Sequence, residues 1–206
     1  MPEEEKEDTS IWDYVTCMSS VKLRHKVLDT RLHSADIAYG SGSKQQAVTG
    51  NPDSGDPGSY WQIRSADEHG GTACLQGDTL QHGDKIRLMH LRTKKNLHSH
   101  QYQSPLSQKQ EVSAFGEDGN GDEGDVWELM VREKGDVYAA GWGGPWLRDS
   151  IVRFKHVVTG QYLFSHRKQF NNGPVDGMNE ITCSPRADDR TLWSVDEGLF
   201  HPKQAE

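Results

Sequence analysis

The chain has 206 residues, 33% of them hydrophobic, with 21 glycines and a formal net charge of −8 from 23 basic and 31 acidic side chains. That length fits one domain or two small ones, and a small apolar fraction beside abundant glycine describes a modest core under much loop, as in a closed all-β fold. The charge repels nucleic acid and anionic membrane surfaces, and no apolar run approaches the roughly 20 residues that a membrane-spanning helix needs.

Residues 1–14 open the chain as an acidic lead, predicted disordered, beginning Met-Pro-Glu-Glu-Glu-Lys-Glu-Asp-Thr. It has neither the basic n-region nor the apolar h-region of a secretory signal, so the chain reads either as cytosolic or as one whose leader is missing. A repeated phrase then begins at Val21-Lys-Leu-Arg-His25 and returns as Ile86-Arg-Leu-Met-His90 and Val152-Arg-Phe-Lys-His156. Within each, Val21/Leu23/His25, Ile86/Leu88/His90 and Val152/Phe154/His156 alternate with Lys22, Arg87 and Arg153 on the opposite face, the period of a strand.

Turn residues follow at Asp29-Thr30, Thr93-Lys94-Lys95 and Thr159-Gly160, and a second strand is predicted from Leu32-His33-Ser34, Leu97-His98-Ser99 and Leu163-Phe164-Ser165. After a glycine- and serine-bearing excursion comes a third strand: Gln45-Gln46-Ala47-Val48-Thr49, Gln110-Glu111-Val112-Ser113 and Asn179-Glu180-Ile181-Thr182. Each copy closes on a tryptophan with an apolar partner two positions on, at Trp61/Ile63, Trp127/Leu129 and Trp193/Val195. A unit with one apolar face can bury it only against its siblings. The spacing therefore predicts an all-β fold, a β-trefoil of three repeats of four strands each in one closed domain over 15–200, with repeats at about 15–70, 80–134 and 146–200 and a tail at 201–206. Val21, Leu23, Leu32, Val48, Trp61, Ile63 and their counterparts form its predicted core.

Segments 64–83 and 130–150 link the units, and the second carries Gly141-Trp142-Gly143-Gly144-Pro145-Trp146. Trp146 is placed to pack beneath the third unit. Trp142, flanked by glycine, is either a docking point or an indole folded back on the barrel. Cys17 and Cys74 bracket the first unit, where they either staple its ends or stand as unrelated thiols, while Cys183 in a predicted strand reads as a buried small hydrophobe.

His33, His98, His100 and His166 lie in the second-strand phrase, and His25, His90 and His156 end the first strands. No unit adds the carboxylate or cysteine of a zinc site, so these imidazoles are expected to bond backbone at hairpin corners, with no metal and no cofactor. The acidic loop Glu117–Asp125 begins like a calcium loop at Asp118, Asn120 and Asp122 but has Glu123 and Leu129 where glycine and a bidentate glutamate are required. No nucleophile elbow, P-loop or HExxH is present, and the repeated positions are polar hairpin elements, which suits recognition better than bond making. The expected binding surface comprises His33, Ser34, Gln45, Gln46, His98, Ser99, His100, Gln110, Glu111, His166 and the indole of Trp142.

The phrases Leu32-His33-Ser34, Tyr39-Gly-Ser-Gly-Ser43, Gln45-Gln46-Ala-Val48-Thr49 and Ser59-Tyr60-Trp61, with Leu97-His-Ser-His100, Ser104-Pro-Leu-Ser107 and Gln110-Glu-Val-Ser-Ala-Phe-Gly116, resemble the MIR-domain family and, within it, the stromal cell-derived factor 2 branch. Cys17 and Cys74 also sit where that family carries cysteines. The resemblance implies a trefoil of three MIR repeats without enzymatic activity in the endoplasmic reticulum lumen. It also implies partnership with a luminal J-domain co-chaperone and a heat-shock-70 class chaperone, and handling of unfolded or O-mannosylated clients. A lectin-like binder of glycans or mannosyl peptides is the rival expectation. Ala35 replaces the family's histidine, Phe164 replaces another, segment 135–145 looks expanded, and His201-Pro-Lys-Gln-Ala-Glu206 carries no KDEL-type signal, so luminal residence rests on the resemblance alone.

Overall fold

A computed structural model describes residues 9–133 and 141–204. Most of the predicted acidic lead, part of the 135–145 segment and the last two residues of the tail lie outside the described residues. Among the described residues the chain is all-β apart from six single-turn 3-10 helices. Twelve strands run in order: β1 Ser20–His25, β2 Arg31–Ala38, β3 Gln46–Asn51, β4 Tyr60–Arg64, β5 Lys85–His90, β6 Asn96–Gln103, β7 Gln110–Phe115, β8 Trp127–Val131, β9 Ile151–His156, β10 Tyr162–Gln169, β11 Asn179–Ser184 and β12 Trp193–Leu199.

All pairings are antiparallel, and they close. Strands β1, β4, β5, β8, β9 and β12 pair in that cyclic order, with β12 returning to β1 through Ser20↔Leu199 to His25↔Trp193. The hairpins β2–β3, β6–β7 and β10–β11 stand on one end of this barrel, and β3, β7 and β11 pair pairwise at its centre. Closure leaves the barrel without free edges.

The apolar alternation drives this arrangement. Val21, Leu23, Leu32, Val48, Trp61 and Ile63 are fully buried, as are Ile86, Leu88, Leu97, Val112, Trp127 and Leu129 of the second unit. The third unit gives Val152, Phe154, Leu163, Ile181 and Trp193, but Val195 is only half-buried, beside the bulge where the β1–β12 register slips. Each tryptophan donates its indole N–H to the second-strand leucine of its own unit: Trp61 to Leu32 at 2.8 Å, Trp127 to Leu97 at 2.9 Å, Trp193 to Leu163 at 3.2 Å. The acceptor offsets the cost of taking the indole N–H out of water.

The face opposite the core is covered as well. Lys22 and Arg87 are buried, Lys22 lying 4.8 Å from the Tyr60 ring centre and donating to Ser54 O and Glu197, and Arg87 donating to Ser65 O and Gly119 O. Long cationic chains bury their stems while their heads find carbonyls.

The other end of the barrel is closed by three segments that precede the units. Bridges join Tyr14 to Leu147, Thr16 to Thr79 and Gln81 to Pro145, and the residue at the middle of each segment, Val15, Leu80 or Trp146, is buried as a plug. Trp146 packs at 5.9 Å on Phe154 of the third unit. Cys17 and Cys74 form a disulfide with Cα atoms 6.1 Å apart, tying the first plug segment to the linker after β4. Cys183 is buried in β11.

Candidate functional site

The first-strand histidines are structural. His25, His90 and His156 are fully buried, and each Nε2 meets a backbone carbonyl of the preceding unit around the barrel: Arg190 at 2.8 Å, Gly58 at 2.9 Å, Gly124 at 2.8 Å. Burial pushes all three below the ordinary imidazole range, His90 to about 4 against the opposing effect of the hydrogen bond its Nε2–H donates to Gly58 O. They remain neutral near pH 7 and each packs on the tryptophan of that neighbouring unit at 4.9–5.0 Å.

The second-strand groups gather into three related clusters where adjacent hairpins meet. Ser34, Ser99 and Ser165 donate to the carbonyls of Ala47, Glu111 and Glu180. Gln46 Nε2 bridges Ser34 Oγ and Thr93 Oγ1 of the next unit at 2.9 and 2.8 Å, and Gln110 bridges Ser99 and Thr159 in the same manner. Gln45 Oε1 accepts from Ser113 at 2.6 Å. His33 faces Asp56 at 3.2 Å; burial lowers its pKa despite that carboxylate, and the charge of Arg92 lowers it further.

Two buried carboxylates hold His100 and His166, where the sequence predicts backbone partners. Glu111 accepts from His100 Nε2 at 2.8 Å and from Ser43 of the unit-one hairpin loop. Glu180, a group that sequence reasoning did not single out, accepts from His166 Nε2 at 2.7 Å and from the Leu106 and Ser107 amides of the unit-two loop. Burial alone would raise Glu180, yet the donors from His166, Ser107 and Leu106 hold it down to about 2. In both clusters the carboxylate sits between donor and imidazole, so the histidine cannot take a serine proton as it does in a catalytic triad. Cys183 is no nucleophile either, since burial pushes its thiol up to about 12.

Among the described residues, His98, Asp122 and Asp125 place their ligand atoms within 4.8 Å of one another and could together approach a cation. They are committed to the fold: His98 bonds Asp125 at 2.8 Å, and Asp122 and Asp125 form the capping box of the turn Glu123–Asp125. Gly124 is required beneath them, because a Cβ there would lie 2.4 Å from His98 Cε1. Trp142 is half-buried, with the Arg153 guanidinium 4.5 Å from its ring centre, and is not brought together with the hairpin groups.

One of the three clusters is open. Between units one and two a groove of about 440 Å³ is lined by Ser34, Ala35, Asp36, Gln46, His90, Arg92, Thr93 and Lys95. Ala35 leaves space where the other units carry His100 and His166 in contact with glutamate. Asp36, Arg92, Thr93 and Lys95 were absent from the predicted set; their signal was the mismatch between copies, since Arg92 stands where the other units have Val27 and Val158.

The MIR domain profile matches residues 32–195, from β2 to β12 and including the whole groove. The chain belongs to the MIR-domain family. Stromal cell-derived factor 2-like protein 1 of Mus musculus is 44% identical to this MIR-domain chain over 186 residues, 90% of this chain and 78% of the relative. The crystal structure of an SDF2-like protein from Arabidopsis thaliana superposes with a TM-score of 0.84 at 38% identity, covering 93% of this chain and 99% of that one. A further match is the Saccharomyces cerevisiae protein O-mannosyltransferase Pmt1–Pmt2 complex bound to the sugar donor, with a TM-score of 0.75 at 31% identity, covering 91% of this MIR-domain chain and 26% of that one.

Proposed function

We propose that this MIR-domain protein is a non-enzymatic recognition module of the secretory pathway, acting in protein folding and quality control in the endoplasmic reticulum. In this reading it is a β-trefoil of three four-strand repeats, at about 15–70, 80–134 and 146–200, whose pairwise strand pairings recur three times around the barrel. Its hairpin side holds a luminal J-domain co-chaperone with its heat-shock-70 class partner, or misfolded and O-mannosylated clients. The observation that carries the proposal is the groove at the first interface: its polar walls are fixed by Ser34, Gln46 and Thr93, and it contains no paired nucleophile and base. Resemblance to SDF2-like proteins supports the compartment. Affinity capture from luminal extract tests it. Wild-type protein is expected to retain a J-domain protein, and Gln46→Leu/Thr93→Val protein to lose it; equal recovery by both would remove the groove from the proposal.

The second reading is a lectin. The likeness to a mannosyltransferase bound to its sugar donor favours it. Reproducible glycan-array binding that the same double variant abolishes would select the lectin over the adaptor.

A further inference from the structure

The groove between units one and two differs from its two symmetry equivalents in charge as well as in space. Arg92 projects from the β5–β6 turn at its rim, exposed and without a hydrogen bond or ion pair among the described residues. The matching turn positions hold Val27 and Val158, both exposed valines, so the cation is peculiar to this interface. Lys95 adds a second positive charge but spends its ammonium on Gly116 O at 3.0 Å. The neighbouring imidazoles His33 and His90 are held neutral by burial, with the Arg92 charge acting in the same direction.

The opposite wall supplies two further constraints. Gln46 is 6% exposed and uses both N–H groups on Ser34 and Thr93, with its carbonyl Oε1 buried behind them, so it forms a fixed wall of the groove. Asp36 lines the groove, exposed and unpaired among the described residues. A guanidinium without a partner fits a planar carboxylate through two parallel N–H bonds. Asp36 repels a doubly charged anion about twice as strongly as a singly charged one at the same distance. A peptide carrying aspartate or glutamate offers a planar carboxylate of single charge, whereas inorganic phosphate brings more charge to the same place.

We propose that this groove binds an acidic peptide segment, with the Arg92 guanidinium clamping its side-chain carboxylate. The inference rests on the recognition-module reading and names its ligand class. Because the whole chain carries −8, long-range attraction does not favour an acidic peptide, and any preference for one arises locally.

The test uses a short fluorescein-labelled Glu/Ser peptide and its Gln/Ser twin, titrated against the full chain by polarisation. The Glu/Ser peptide should bind about tenfold tighter than its twin. Arg92→Val, which installs the residue of the other two turns and should fold normally, should erase that difference; Arg92→Lys should keep part of it. Equal binding of the two peptides, no binding of the acidic one, or an unchanged preference in Arg92→Val with a wild-type melting curve would overturn the proposal. Displacement of the peptide by millimolar inorganic phosphate but not by acetate would assign the groove to phosphate instead, overturning it too. Luminal capture on the same proteins separates the two levels: wild-type protein that captures nothing refutes the functional reading, while the peptide titrations alone decide this inference.

Discussion

Glu111 and Glu180 are fully buried, and each ties its own histidine to the hairpin loop of the preceding unit. Unit one has Ala35 and Ala47 at the matching positions, so histidine and glutamate are lost together. That is physically required: a buried carboxylate without its donors carries an uncompensated desolvation cost, and an imidazole without its carboxylate loses its partner. The pairs shape the acid response. Glu180 has a folded pKa of about 2 against an ordinary 4.5, so the unfolded chain takes up the proton first and stability is lost as pH falls from about 4.5 to about 2. His90, folded pKa about 4 against 6.5, acts with the same sign in a higher window, because the unfolded chain gains its proton while the folded one resists. Urea titrations across pH should therefore show stability falling below about pH 6.5 in two overlapping stages. Glu180→Gln should flatten the lower stage and leave the upper one; a lower stage that persists unchanged would place its origin elsewhere. Trp61→Phe should cost on the order of 2 kcal/mol in the same urea assay, since it strands the Leu32 carbonyl in the core.

The hairpins explain why much of the fold was legible and the groove was not. Strand period, the turn residues and the recurring tryptophans repeat as letters, and each has a direct structural counterpart. Asp29, Lys94 and Gly160 occupy the left-handed region at φ 56°, 59° and 69° in equivalent turns. Gly160 meets only the distant Lys155 chain, so a side chain there is opposed by backbone conformation alone. Gly160→Val should lose about 1 kcal/mol and Gly160→Asn much less, read from thermal melts. The plugs Val15, Leu80 and Trp146 repeat in place but not in residue type, because burial at a barrel mouth asks for apolar volume and not for one shape. Val15 and Leu80 escaped a reading built on recurring letters, whereas Trp146, conspicuous as an indole, was expected beneath the third unit. The groove escaped for the converse reason: it exists where Ala35 and Arg92 break the pattern, and an internal alignment draws attention to agreement. Glu180 lay in plain view opposite Glu111, but only the packed hairpins show that it reaches the unit-two loop. The staple between Cys17 and Cys74, with a sequence separation of 57, should contribute about 4 kcal/mol in the chain-entropy picture, and reduction or Cys74→Ser should lower the urea midpoint accordingly.

The barrel joins its last strand to its first, and every first-strand histidine leans on a tryptophan from the neighbouring unit. No unit owns a complete core, so unfolding should be one cooperative event. A chain ending after Leu192 lacks β12 and Trp193 and should show no calorimetric transition, while independent melting of two units would contradict the shared core. The β1–β12 ladder has a further consequence. Ser20 sits opposite Leu199, so the two ends of the chain leave the barrel from the same end of that antiparallel pair. Tension applied through both termini would open the ladder rung by rung, like a zipper, instead of shearing all its bonds at once. A molecule that resists heat as a single block would then yield mechanically at low force, from one seam.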